Sequence, residues 1–182
     1  MTVLVIVALL GAAAFGGFRL DQVRGQTRRF IDDVQGLVVQ ARNFAIDEQR
    51  PVTLTIESTR VVASVLDPVT NVIQPIDAAG LDHGGATLLR DGRVCIYGLQ
   101  SGVQAPAFAE DLPPPTDCVA QPQQLRFEPD GSFSDPNNTF STIPNAGASL
   151  WIGDRGMPNA TKLTVIQIFP GGLVRTFEEI RE

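Results

Sequence analysis

The side chains best equipped for chemistry are two cysteines, Cys95 and Cys118, one histidine, His83, and an oxygen-rich run containing Asp130, Asp135, Asn137 and Asn138. In an exported domain the cysteines would form one disulfide. It would clamp the Pro113-Pro114-Pro115 loop with roughly 3 kcal/mol of chain entropy. Inside a reducing compartment the same residues read as two buried thiols. One His and two Cys at these spacings cannot complete a four-ligand zinc site, so no metal is expected. His83 sits in Leu81-Asp82-His83-Gly84-Gly85, a turn-like stretch, and no Gly-x-Ser-x-Gly elbow exists to carry a nucleophile beside it. The oxygen-rich run does not match EF-hand spacing and reads as a hairpin turn followed by a polar loop. Walker and Gly-x-Gly-x-x-Gly loops are absent. The expectation is therefore a non-enzymatic protein without a cofactor.

The elements that position these residues begin with an apolar start. Residues 1–18 carry no charged side chain and span roughly 27 Å at helical rise, near the ~30 Å of a bilayer core. A cleaved signal peptide would open with basic residues and stop at a small-residue site. Here the basic start is missing and the pattern continues. Leu20, Val23, Phe30, Ile31, Val34, Leu37, Val38, Ala41, Phe44 and Ala45 make one apolar stripe. Arg24, Arg28, Arg29, Asp32, Asp33, Arg42 and Asp47 are assigned to the opposite face. Pro51 should stop the helix. Residues 1–50 thus read as one retained helix of roughly 75 Å, with soft points at Gly16-Gly17 and Gly25.

From Pro51 the period becomes that of strands. Val52–Ile56 alternates and Arg60–Leu66 follows as a second run, broken by Asp67-Pro68. Ala86–Arg90 and Arg93–Tyr97 flank Asp91-Gly92, a hairpin signal. Gln124–Glu128 and Ser132–Ser134 flank Pro129-Asp130-Gly131, and Ala148–Ile152 is a short strand. Thr161–Phe169 and Leu173–Phe177 flank Pro170-Gly171-Gly172. Two irregular loops remain, 99–122 and 135–147. The fold class is α+β: a long N-terminal helix, residues 1–50, packed on an antiparallel β domain, residues 51–182. The net charge of -6 excludes a protein that coats nucleic acid.

These residues resemble the type IV pilin-like family, closest to the H-type minor pseudopilins of type II secretion and the FimT-like minor pilins. The likeness is carried by Ala8-Leu9-Leu10-Gly11, by Ala41-Arg42-Asn43-Phe44-Ala45-Ile46 and by Pro51-Val52-Thr53-Leu54. Phe127-Glu128-Pro129-Asp130-Gly131 and the closing turn at Gly171-Gly172 extend it to the C-terminal half. It implies an assembly helix using Met1, Thr2, Val5, Leu9, Leu10, Phe15 and Phe18. The implied partners are other pilin or pseudopilin subunits, the inner membrane before assembly, and exoprotein cargo. The family's basic leader does not precede Met1, which reads as a mature terminus or a late start. Its glutamate at the fifth position falls on Val5, or on Thr2 if Ala8-Leu9-Leu10-Gly11 is aligned. Losing that carboxylate would suit a tip subunit with no neighbour above, or simply a divergent sequence.

Arg19, Arg24, Arg28 and Arg29 would by the positive-inside rule keep the β domain in the cytoplasm. The resemblance implies the reverse: a single inner-membrane pass, with the β domain in the periplasm or outside the cell, in a filament. A second reading makes the chain a binding module for DNA or a surface ligand through loops 99–122 and 135–147. It requires Arg90, Arg93, Arg126 and Arg155 to converge on one face.

Overall fold

The computed structural model describes residues 28–67, 69, 71–76, 85–87, 94–102, 117–138, 147–154 and 162–180. Helix α1 covers residues 28–47. The expected start of the helix, with Gly16-Gly17 and Gly25, lies outside the described residues. Among the described residues no helix is long and apolar enough to cross a membrane.

α1 buries Phe30, Val34, Leu37, Val38, Ala41 and Ala45, the spacing expected of one apolar stripe. It ends before Pro51 is reached. Gln49 takes a left-handed backbone (φ 52°) and Arg50 donates its amide to the Ala45 carbonyl at 3.1 Å, a Schellman-type closure. The Gln49 side-chain amide covers the Ile46 carbonyl at 2.6 Å. Pro51 then only begins the exit toward β1.

Among the described residues, ten strands form two antiparallel sheets. The first has the order β3-β2-β1-β6-β7, with β4 also on β2. Here β1 is Val52–Ile56, β2 Arg60–Leu66, β3 Ile73–Pro75, β4 Gly85–Thr87, β6 Gln123–Phe127 and β7 Phe133–Ser134. The second has the order β10-β9-β8-β5, with β5 Val94–Ser101, β8 Ala148–Asp154, β9 Lys162–Ile168 and β10 Val174–Ile180. One core joins α1 to both sheets: Leu54, Ile56, Leu125 and Phe127 on one side, Ile96, Leu150, Ile152, Ile166 and Ile168 on the other. A smaller cluster of Trp151, Leu163 and Val165, with Tyr97 against it, fills the other face of the second sheet.

Two hairpins follow the turn chemistry of the sequence, β6–β7 and β9–β10. In β1–β2, Arg60 grips both Glu57 oxygens at 2.7 Å, which lowers the Glu57 pKa. The Asp91-Gly92 turn lies outside the described residues; of the strands expected on either side of it, Gly85–Thr87 pairs with β2, whereas β5 pairs with β8 in the other sheet. β5 also runs on through Leu99, Gln100 and Ser101, the expected start of a loop. A bulge between Ile96 and Gly98 lets the strand continue past Gly98, whose φ of 112° only glycine accepts readily. β3 had no clear signal, being three exposed residues ending in proline.

Gly36 lies within α1 with nothing inside 4 Å of an added Cβ. Gly36→Ala should therefore raise stability by roughly 0.5–1 kcal/mol through helix propensity. Thermal melting checks this, and a lowered midpoint would contradict it.

Candidate assembly interface

The residue that organises the outer end of α1 is Arg42. It was assigned to the solvent face, but it lies half-buried on the flank of the helix. Its Nε donates to the Gly131 carbonyl at 3.2 Å and its Nη2 to the Gly171 carbonyl at 2.7 Å. One guanidinium thus clasps the β6–β7 and β9–β10 turns together against the helix. Both turns must approach closely, and glycines allow it. Gly131 has φ 82° and an added Cβ would stand 3.0 Å from Arg42 Nη2. An added Cβ on Gly172 would overlap the Arg42 side chain outright. A planar fork with several donors suits two carbonyls from different turns; a lysine could not span them equally.

Nearby, Arg50 donates to the Leu66 carbonyl and holds the β2–β3 hairpin to the same end of the helix. Asp67 closes that hairpin: its carboxylate accepts from the Val69 amide at 2.8 Å and from the Gln74 side chain at 3.3 Å. Farther along, Thr176 on β10 donates to Gln35 at 2.8 Å. Three hairpin tips therefore surround the C-terminal end of α1. The opposite stripe, with Asp32, Val39, Asn43 and Asp47 exposed and Gly36 partly so, is left uncovered.

The cysteines are joined, with Cα atoms 5.6 Å apart. The bond ties residues 117–122 to β5, where the Val119 amide also donates to the Ile96 carbonyl at 2.8 Å. Beside it, Gln123 accepts from the Leu99 amide at 2.6 Å through its side chain. That carboxamide acts as a surrogate strand at the bulge, and an added Cβ on Gly98 would stand 2.6 Å from its oxygen. The sequence reading missed both Arg42 and Gln123. The motif residue Arg42 carried a signal, since a charged residue flanked by buried Ala41 and Ala45 needs nearby partners.

Of the four arginines considered for DNA, Arg126 is described, and its Nε donates to Glu128 at 2.7 Å. Arg90, Arg93 and Arg155 lie outside the described residues, as do Met1, Thr2, Val5, Leu9, Leu10, Phe15, Phe18 and His83. Among the described residues no three His, Cys, Asp or Glu side chains group to hold a metal ion.

No family model matches the chain, and no curated protein matches it. Solved structures do. One structure of the minor pseudopilin EpsH from the type II secretion system of Vibrio cholerae aligns with TM-score 0.55 and 14% identity, covering 88% of this chain and 98% of that one. A second structure of EpsH aligns with TM-score 0.54 and 13% identity, covering 84% of this chain and 96% of that one. The fold is that of the H-type pseudopilins, an N-terminal helix on antiparallel sheets.

Proposed function

We propose that the chain is a non-enzymatic structural subunit of a filament, a minor pseudopilin of type II secretion or a minor pilin of a type IV pilus. The likeness in fold to EpsH along nearly its whole length carries this reading. The physical logic agrees with it. One face of α1 is consumed by the core of its own domain, so the helix is rigidly attached, while its outer stripe stays open to neighbours. The uncharged residues 1–18 would lie in the inner membrane before assembly. On leaving it, they would bundle with the matching helices of other subunits, because apolar helices outside lipid need apolar partners. The β domain would face the periplasm or the exterior, where the disulfide persists. Exoprotein cargo would meet that outer surface.

The test is mass spectrometry of material sheared from cells. A leader-free, N-methylated chain with Cys95 bonded to Cys118 in the sheared fraction is the expected result. An unprocessed Met1 confined to membranes, with free thiols, would sink the filament reading.

A further inference from the structure

Where a sheet ends, the outer strand leaves backbone groups open to pairing with another chain, and folded proteins blunt such edges. Among the described residues, three sheet edges are blunted by their own sequence. β3 has three residues and closes on Pro75, and β7 has two residues. β10 carries Arg175, Glu178 and Glu179. β5 differs. Val94–Ser101 holds no charged residue, no proline and one glycine, and its bulge at Gly98 is the only device within the strand. A short run of β-branched, aromatic and uncharged residues is the composition that adds to other strands most readily.

The outward groups of β5 are capped from outside its sheet instead. The Ile96 amide donates to the Ser58 carbonyl at 3.1 Å, and the Ile96 carbonyl accepts from the Val119 amide at 2.8 Å. The Leu99 amide donates to the Gln123 side chain at 2.6 Å. The caps on the Ile96 carbonyl and the Leu99 amide thus come from residues 117–123, and Cys118 is bonded to Cys95 within the strand that this segment covers. We infer that the disulfide is an edge lock: it holds residues 117–122 over β5, and until it forms, that edge takes an added strand from a second copy of this chain. None of residues 117–122 is buried and four are exposed, so little apolar burial keeps the segment in place once the bond is absent. The Gln123 cap then stands alone, and an incoming backbone can displace one side-chain carboxamide. The occupant is a second copy because every unlocked chain presents the same strand. With no charge in β5, no register sets like charges opposite each other. Closing the lock takes two protons and two electrons from the paired thiols to a disulfide-bearing oxidant, which leaves as a dithiol. The lock lies within the β domain and acts whether or not the chain enters a filament.

Full-length chain in detergent micelles tests this, as the oxidised parent and as Cys95→Ala with Cys118→Ala, by sedimentation and by amide exchange over a range of protein concentrations. In the oxidised parent, protection of the Leu99 amide should not depend on concentration. In the double variant that amide should exchange faster when dilute. It should regain about tenfold protection as concentration rises, the effect of one restored hydrogen bond, while a larger sedimenting species appears. The Val119 amide should stay fast throughout, because it lies on the released segment. Leu99 exchange that ignores concentration in the folded double variant would overturn the edge lock. So would equal association of the oxidised parent, which would place the contact elsewhere in the chain. A double variant that also loses protection in β8 and β9 has not folded, and Gln123→Ala with the disulfide intact then decides. Its Leu99 amide should be fast at every concentration, since the tethered segment still bars an added strand. Protection that returns with concentration while the bond is intact would show that the lock does not guard β5.

Discussion

Arg42→Ala should lower stability by about 2–4 kcal/mol, which for a domain of this size is roughly 5–15 °C in the thermal midpoint. Each bond from a charged donor contributes about 1.5–3 kcal/mol, and the variant loses two. The Gly171 carbonyl is exposed and regains water, which keeps the total toward the lower end of their sum. The alanine also leaves an open space beside Gly131 and Gly172, whose close approach only the guanidinium and its stem fill. Arg42→Lys should fall between parent and alanine, since one ammonium cannot serve both turns equally. Gly172→Ala should be comparably harmful, because it adds a Cβ where Arg42 lies and strains a φ of 82°. Circular dichroism melts check the set. A shift below 2 °C for Arg42→Ala would show that the clasp does not hold the turns to the helix.

Removing the disulfide by Cys95→Ala with Cys118→Ala should destabilise the folded domain by about 3 kcal/mol. The bond closes a loop of sequence separation 23. Without it, residues 117–122 rest on β5 through the Val119–Ile96 bond and the Gln123 carboxamide. Exchange of the Val119 and Leu99 amides should accelerate more than that of β8 and β9, which are paired on both sides. Hydrogen-exchange mass spectrometry separates this local loosening from global unfolding. Equal protection in oxidised protein and the double variant would show that the clamp is dispensable.

Both variants probe features that the sequence presented unequally. The cysteines were visible as a pair with two readings, and only their placement on β5 and its neighbouring segment chose between them. Arg42 was visible as part of a resemblance but was placed on the wrong face. A stripe drawn from hydropathy assigns every charge to solvent, and it cannot see carbonyls brought in by turns 89 and 129 residues away. The exposed apolar side chains of the β2–β3 hairpin were likewise hidden. Leu66 read as the end of a strand, and Val72 and Ile73 carried no reading until the sheet order placed β3 at an edge.

What the sequence determined alone was local. The apolar spacing from Phe30 to Ala45 specified the face of α1, because a helix repeats its contacts every 3.6 residues. Alternation in Val52–Ile56 and turn residues at Pro129-Asp130-Gly131 and Pro170-Gly171-Gly172 specified strands and hairpins, because backbone sterics act over a few residues. The tertiary structure decided how those pieces were shared out. It sent Gly85–Thr87 to β2 and β5 to β8, carried β5 across a bulge at Gly98, and gathered three hairpin tips around Arg42 and Arg50. Those outcomes depend on which distant surfaces can be buried together, a property of the assembled core rather than of any short stretch of chain.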